Sequence, residues 1–276
     1  MNDDYRISKF NIETDLPDGA FFGVIVGRSR SGKGVWTHRF LEKLIKAKKL
    51  NLTNAYLFSS SADVQTDSFP LIKHNRHTTY DDDMVMDLVE KNGDKIKAEI
   101  KKGKPKKQVL KDNHILFIID DLVGNLKHSK SLIQLSTSGR HKSCSVLLLT
   151  QALSSAIPTI VRKNCSWLPA YPSISHRVME ILIKEYGLMT LAGFSYKESR
   201  NFLMNIWKSA SFTAICILQH KVDVREMEQM IRYDRVIQDP TKTTKFLAKH
   251  TIDRKKKEVE EQNNNNSIYR RKNRYH

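Results

Sequence analysis

Three stretches carry residue types that could act together on a phosphate. The first is Gly27-Arg28-Ser29-Arg30-Ser31-Gly32-Lys33-Gly34, set between an apolar run, Phe21 to Val26, and a helical pattern of Val35, Phe40, Leu41, Leu44 and Ile45. Strand, glycine-bounded loop, lysine and helix make the setting in which backbone N–H groups wrap a di- or triphosphate. The helix N-terminus adds partial positive charge. Gly27 and Gly32 allow tight turns and close backbone approach, and Lys33 can reach the outer phosphates. An ordinary glycine-rich strand–helix turn is the plainer reading of the same residues. The usual motif continues with Ser or Thr, whose hydroxyl binds Mg²⁺. Here that position is Gly34.

The second stretch is Ile115-Leu116-Phe117-Ile118-Ile119-Asp120-Asp121. An unbroken apolar run fits a central parallel strand covered on both faces. Asp120 at its end could hold Mg²⁺, directly or through water, and Asp121 could orient or deprotonate an attacking water. The pair could also simply cap the next helix. The third stretch, Ser145 to Gln151, is a further apolar run ending in Thr150-Gln151. Ligands of open α/β sheets lie outside strand C-termini. Gln151 could therefore meet the γ-phosphate or the attacking water, or be satisfied by loop backbone.

The elements that must position these groups follow in order. Strands are expected near 21–26, 55–59, 115–120, 145–151, 167–171 and 211–218, the last of these closing the sheet. Helices are expected near 33–48, from Asp81, and over 129–138, 177–186 and 222–231. Asp81-Asp82-Asp83 reads as a helix cap in preference to a metal site. Lys95 to Lys111, broken by Gly103 and Pro105, reads as a helix end and an exposed basic loop, for which nucleic-acid contact and mere solvation weigh equally.

The chain has 276 residues and a net charge of +17. Such a charge points to a polyanionic partner, nucleic acid before an anionic membrane surface. Cys144, Cys165 and Cys216 lack CxxC spacing, so free buried thiols and an intracellular protein are expected, without a zinc site. The acidic N-terminus is no signal peptide, and no run approaches the ~18 apolar residues of a membrane span. From about 241 the composition changes: residues 241–276 hold eleven Lys/Arg against four Asp/Glu, a net of +7. A P-loop domain over 1–240 and a disordered, basic, low-complexity tail over 241–276 are expected.

Taken together these stretches resemble the viral genome-packaging ATPases of the poxvirus and giant-virus type, within the FtsK–HerA superfamily. Gly27 to Lys33 and the strand to Asp120-Asp121, which resembles a Walker B strand, say only NTPase. Gly139-Arg140-His141, the strand to Thr150-Gln151, and Ile157-Pro158 through Ile160-Val161-Arg162-Lys163-Asn164-Cys165 narrow the family. The similarity covers about 20–220.

The resemblance implies an α/β, RecA-like P-loop NTPase core with a mostly parallel sheet flanked by helices. It implies a ring homo-oligomer, a pentamer or hexamer, around double-stranded DNA bound without sequence preference. ATP hydrolysis with Mg²⁺ would drive the genome into a preformed viral capsid. Gly27, Arg28, Ser29, Arg30, Ser31, Gly32, Lys33, Gly34 and Val35 would cradle the nucleotide, and Asp120 would hold the Mg²⁺ shell. An arginine from one subunit would complete its neighbour's site, Arg140 as first candidate and Arg162 as second. Such a protein works where virions assemble, in host cytoplasm or nucleus, or stays with the virion. Two departures stand out: Gly34 removes the hydroxyl, and Asp121 replaces the more general Glu. They keep open an alternative, a nucleotide- and DNA-binding assembly factor with weak or no hydrolysis. A small-molecule nucleotide kinase is a third class, disfavoured by the basic tail.

Overall fold

A computed structural model describes residues 8–47, 54–62, 69–122, 126–154, 157–172, 175–186, 195–209, 213–220 and 231–235. These residues belong to one compact unit, Met1–Val236. The basic tail read at 241–276 lies outside the described residues, as does most of the helix read over 222–231.

Eight strands form one sheet: β1 (Phe22–Val26), β2 (Ala55–Ser59), β3 (Arg76–His77), β4 (Ile115–Asp120), β5 (Cys144–Thr150), β6 (Trp167–Ala170), β7 (Thr213–Leu218) and β8 (Ile231–Arg235). Their order is β3-β2-β4-β5-β1-β6-β7-β8. The pairings from β3 across to β6 are all parallel. β7 and β8 are added antiparallel at the far edge. The strands that read as unbroken apolar runs, β4 and β5, lie adjacent in the sheet and are covered on both faces, as such runs require. The expected α/β class with a mostly parallel sheet is what the chain adopts.

Alternation along β1 splits the core in two. Phe22, Val24 and Val26 face an aliphatic layer. That layer is supplied by α3 (Asp82–Lys101), α5 (Lys130–Ser138), α6 (Thr159–Lys163), α7 (His176–Lys184) and α8 (Tyr196–Ser209). On the other side α2 (Lys33–Lys46) lays Trp36 and Phe40 against Phe10, Phe21 and Trp167, with ring centroids 5.0 Å apart for both Trp36–Phe40 and Phe40–Trp167. Gly23 makes this possible, because a Cβ there would stand 2.9 Å from the Trp167 ring.

Three sequence expectations are corrected. The sheet does not end at Leu218, and no helix runs through Ile231. β8 follows, and its Arg232 and Asp234 are paired with residues outside the strand. Asp234 accepts from Trp36 Nε1 at 3.0 Å and lies 3.7 Å from Lys43 Nζ, and Arg232 lies 3.3 Å from Asp15. The stretch Lys95–Lys111, read as a helix end and an exposed basic loop, holds the expected helix end, but most of the loop is a second helix. α3 continues to Lys101, and α4 (Lys106–Asp112) begins after a turn at Gly103. Helix α2 stops at Lys46, two residues early.

The aspartate triplet is a cap, as expected. Asp81 accepts from Met84 N at 2.9 Å, and Asp82 accepts from Ser131 Oγ at 2.6 Å and Lys130 N at 3.1 Å, tying α3 to the start of α5. All three cysteines are buried and free.

Candidate nucleotide site

Strand β1 lies between β5 and β6, so the loop that leaves it emerges at the point where the connections diverge to the two sides. The loop is stitched to both neighbours: Gly27 N donates to Thr150 O at 3.1 Å, and Tyr171 N donates to Val26 O at 2.8 Å. Gly27 has no room for a side chain, since a Cβ would come within 2.7 Å of both Tyr171 Cβ and Ser31 Oγ. The turn into α2 is made by Arg30 (φ 59) and Gly32 (φ 95), both left-handed. Arg28, Ser29 and Arg30 are exposed at the rim, Val35 is exposed on the first turn of α2, and Ser31 and Gly32 are half-buried.

Lys33 is buried, and its ammonium donates to Gly27 O at 2.6 Å and Arg28 O at 2.9 Å. Burial lowers its pKa, while the charges of Asp121 and Asp120 oppose that shift. The lysine is thus held inside the loop and faces the carboxylates of β4, two strands away. On the carboxylate side, burial is the main force that pushes Asp120 up to about 6, with Asp121 adding to it and Lys33 and Ser59 opposing.

Asp121 leaves the strand in a left-handed conformation (φ 52), its N–H donating to Leu149 O at 3.2 Å. That turn carries its carboxylate out to solvent, where Gln151 Nε2 donates to it at 2.6 Å. The carboxylate and the amide oxygen of Gln151 are both acceptors suited to hold a water. Lys33, Asp120, Asp121 and Gln151 therefore converge at the C-terminal ends of three neighbouring parallel strands.

One contributor was missed from the sequence. Ser59 ends β2 in register with Asp120, is buried, and its hydroxyl lies 3.5 Å from Asp120 Oδ2 and 3.2 Å from Ser61 Oγ. The parallel register of β2 and β4 was the signal that would have found it. Gly34 sits with nothing within 4 Å of an added Cβ and with an ordinary φ, so nothing steric forbids a hydroxyl there. Thr37 offers no replacement, because its Oγ1 donates to Lys33 O at 2.9 Å. The oxygen donors around Asp120 fit Mg²⁺, which takes one or two carboxylates and completes its shell with water and phosphate. Among the described residues no cluster of three or more His, Cys, Asp or Glu forms a protein cage for a metal.

The two arginines part ways. Arg162 is buried, and its donors are taken up within its own chain: on Glu185 through Nε at 3.1 Å and Nη2 at 3.2 Å, on Leu153 O at 3.0 Å and on Ile157 O at 3.1 Å. It clamps the segment that follows Gln151, which weighs against its reading as a trans-acting group. Arg140 is exposed on a 3-10 turn, Gly139–Lys142, at the N-terminal end of β5. The seven residues of β5 put it about 20 Å from the Gln151 end.

Known proteins share this fold. Solved structures of similar fold include the genome packaging NTPase B204 from Sulfolobus turreted icosahedral virus 2 in complex with AMPPCP. It has a TM-score of 0.51 and 15% identity, over 79% of this chain and 98% of that one. Another is B204, the DNA-packaging ATPase from Sulfolobus turreted icosahedral virus, with a TM-score of 0.50 and 16% identity, over 80% of this chain and 100% of that one. No curated protein sequence matches. The Poxvirus A32 protein family model matches residues 7–270. The chain, with the P-loop NTPase fold and the packaging-ATPase resemblance read from its sequence, belongs to the Poxvirus A32 protein family.

Proposed function

We propose that this protein is an ATPase that translocates double-stranded DNA into a preformed viral capsid. The carrying observation is the convergence of Lys33, Asp120 and the Asp121–Gln151 pair at one end of the sheet. The family and the fold supply the context, and the net charge of +17 supports a DNA partner.

In this reading the N–H groups of residues 27–35 hold the phosphates, and Lys33 turns from the loop carbonyls to the outer phosphates. Asp120, with Ser59 beside it, would hold Mg²⁺, which when bound would supply charge neutralisation to the phosphoryl group. The Asp121 carboxylate and the Gln151 amide oxygen hold a water in line. Asp121, fixed by Gln151, accepts its proton. Arg140 is too far from its own phosphate loop to serve it, so it acts on a neighbour's nucleotide in a ring. A transition-state charge supplied that way contributes about 10³–10⁵ in rate in other NTPases.

The test is ATP hydrolysis with Mg²⁺, with and without double-stranded DNA, beside Lys33→Ala. Turnover that rises with DNA and vanishes in the variant supports the motor. Gly34 favours a second reading, a nucleotide- and DNA-binding assembly factor. ATP binding without turnover above the Lys33→Ala control, and DNA affinity indifferent to ATP, would replace the first reading by the second.

A further inference from the structure

The parallel strands have a second charged end, and it is built by different residues. Helix α3 runs back from the C-terminal side of β3 toward the N-terminal ends of the strands, and α4 leads directly into β4. Five of the seven residues from 101 to 107 are lysine: Lys101, Lys102, Lys104, Lys106 and Lys107. Every residue from 101 to 108 is exposed. Lys104 is paired with Glu99 at 3.3 Å, whereas among the described residues Lys101, Lys102, Lys106 and Lys107 form no ion pair.

This basic turn is fastened to the 3-10 turn that carries Arg140 and Lys142. Asn92, buried on α3, donates through Nδ2 to Asn113 O at 2.9 Å and to Lys142 O at 2.6 Å. Ser143 Oγ donates to Leu110 O at 2.5 Å, and Ile115 N donates to Ser143 O at 3.0 Å. Gly93 leaves α3 bare where the Lys142 alkyl chain crosses it, 3.2 Å from where a Cβ would stand. The end of α3, all of α4 and the 3-10 turn are thus held as one preformed surface.

We infer that this surface, Lys101 to Lys107 with Lys142, is a docking platform for the phosphodiester backbone of double-stranded DNA, separate from the nucleotide site. The inference rests on the DNA-translocase reading and gives its partner a location. Cations on a preformed surface recognise phosphates without the entropy loss of ordering a loop, so contact is expected chiefly with the backbone. Residues 101–108 offer lysine, glycine, proline and glutamine, with no aromatic or large aliphatic side chain to enter a lipid layer, which favours nucleic acid over an anionic membrane. Arg140 stands at the edge of the same surface. DNA on the platform therefore lies beside the group that serves the neighbouring nucleotide.

The experiment compares the full chain with two triple variants of equal charge change. One is Lys102→Gln/Lys106→Gln/Lys107→Gln. The other is Lys197→Gln/Arg200→Gln/Lys208→Gln, exposed cations of α8. DNA affinity is measured over a salt series without nucleotide. Removing one lysine–phosphate interaction lowers the log–log salt slope by about 0.9, so the platform variant should lose about 2 to 3 in slope and on the order of ten- to hundredfold in affinity near 0.1 M salt. The α8 variant should keep the wild-type slope, and basal ATPase should survive in both. An unchanged slope in the platform variant, or an equal loss in both variants, overturns the inference while the DNA reading stands. Loss of phosphatidylserine-vesicle binding with DNA affinity intact would replace DNA by membrane. No DNA affinity in the wild type at low salt would overturn both the platform and the translocase reading.

Discussion

At the C-terminal ends of the strands, Lys33 and Asp120 are drawn under the surface, and burial moves both pKa values toward the neutral forms. At the N-terminal ends, the lysines of 101–107 stay in water around the turn between α3 and α4. The same kind of charge has been put to two uses. Desolvation makes a few charges reactive and geometrically exacting, at a cost in stability. Exposure leaves many charges hydrated and interchangeable, suited to a polymer of phosphates whose counterions they release. Substitution should therefore act through chemistry at the first end and through charge alone at the second.

The two arginines give the largest contrast. Arg140→Ala should leave stability within about 0.5 kcal/mol, as exposed substitutions do, and lower hydrolysis by about 10³. Mixing it with Lys33→Ala should restore part of the activity, since one subunit keeps the phosphate loop and the other keeps the arginine. Failure of the mixture to recover would remove the trans role. Arg162→Ala should instead destabilise by about 2–4 kcal/mol in denaturant unfolding, because it strips a bidentate partner from Glu185 and leaves the Leu153 and Ile157 carbonyls unmet. A stable but inactive Arg162→Ala would give the finger role back to it.

Asp120→Asn sharpens the buried end. The carboxyl is held near 6 against an ordinary value of 3.8, so the folded protein prefers its protonated form. Its contribution to stability is fully present below about pH 4 and is lost as pH rises through about 6. The variant should therefore be more stable than wild type at pH 8, by up to about 3 kcal/mol, and the two should converge below pH 4. Thermal unfolding across pH checks this, and a destabilised variant at pH 8 would mean that Lys33 compensates the buried charge in full. Mg²⁺-dependent hydrolysis should be lost in the same variant.

Gly34→Ser is the smallest change. Its side chain enters open space in the first turn of α2, so it should stabilise by about 0.5 kcal/mol. The added hydroxyl should raise Mg²⁺ affinity several-fold, read by titrating Mg²⁺ against nucleotide binding and turnover. Unchanged affinity and rate would show that the site works equally well with Gly34.

Much of this was legible in the chain. Continuous apolar runs marked β4 and β5, and the glycine–lysine loop marked the start of α2, because burial on both faces and phosphate-loop geometry leave patterns in one dimension. β8 was not legible. Its sequence, Ile-Arg-Tyr-Asp-Arg, reads as polar, and the partners that take up its charges beside the β7 ladder, Trp36, Lys43 and Asp15, are far away in sequence. α4 hid among lysines that keep one helical face in water. At the site, Lys33 and Asp120 could be read from their motifs, but the Asp121–Gln151 bond and the place of Ser59 beside Asp120 are matters of strand order and register. The intrachain hold on Arg162 could not be read in the same way, because its main partners, Ile157, Leu153 and Glu185, lie 5 to 23 residues away.

Gly23 and Gly27 stand four residues apart on β1 and its exit, each pressed against an aromatic residue of the β6 segment, Trp167 and Tyr171. Through descent these positions can drift only as couples: a methyl gained at 23 requires a smaller ring at 167, and one gained at 27 collides with the stem of residue 171. A relative that had abandoned nucleotide altogether would still be obliged to keep Gly27. Survival of that glycine is evidence of inherited packing before it is evidence of a working phosphate loop, and Lys33 is the residue whose loss would reveal a lineage that had changed trade.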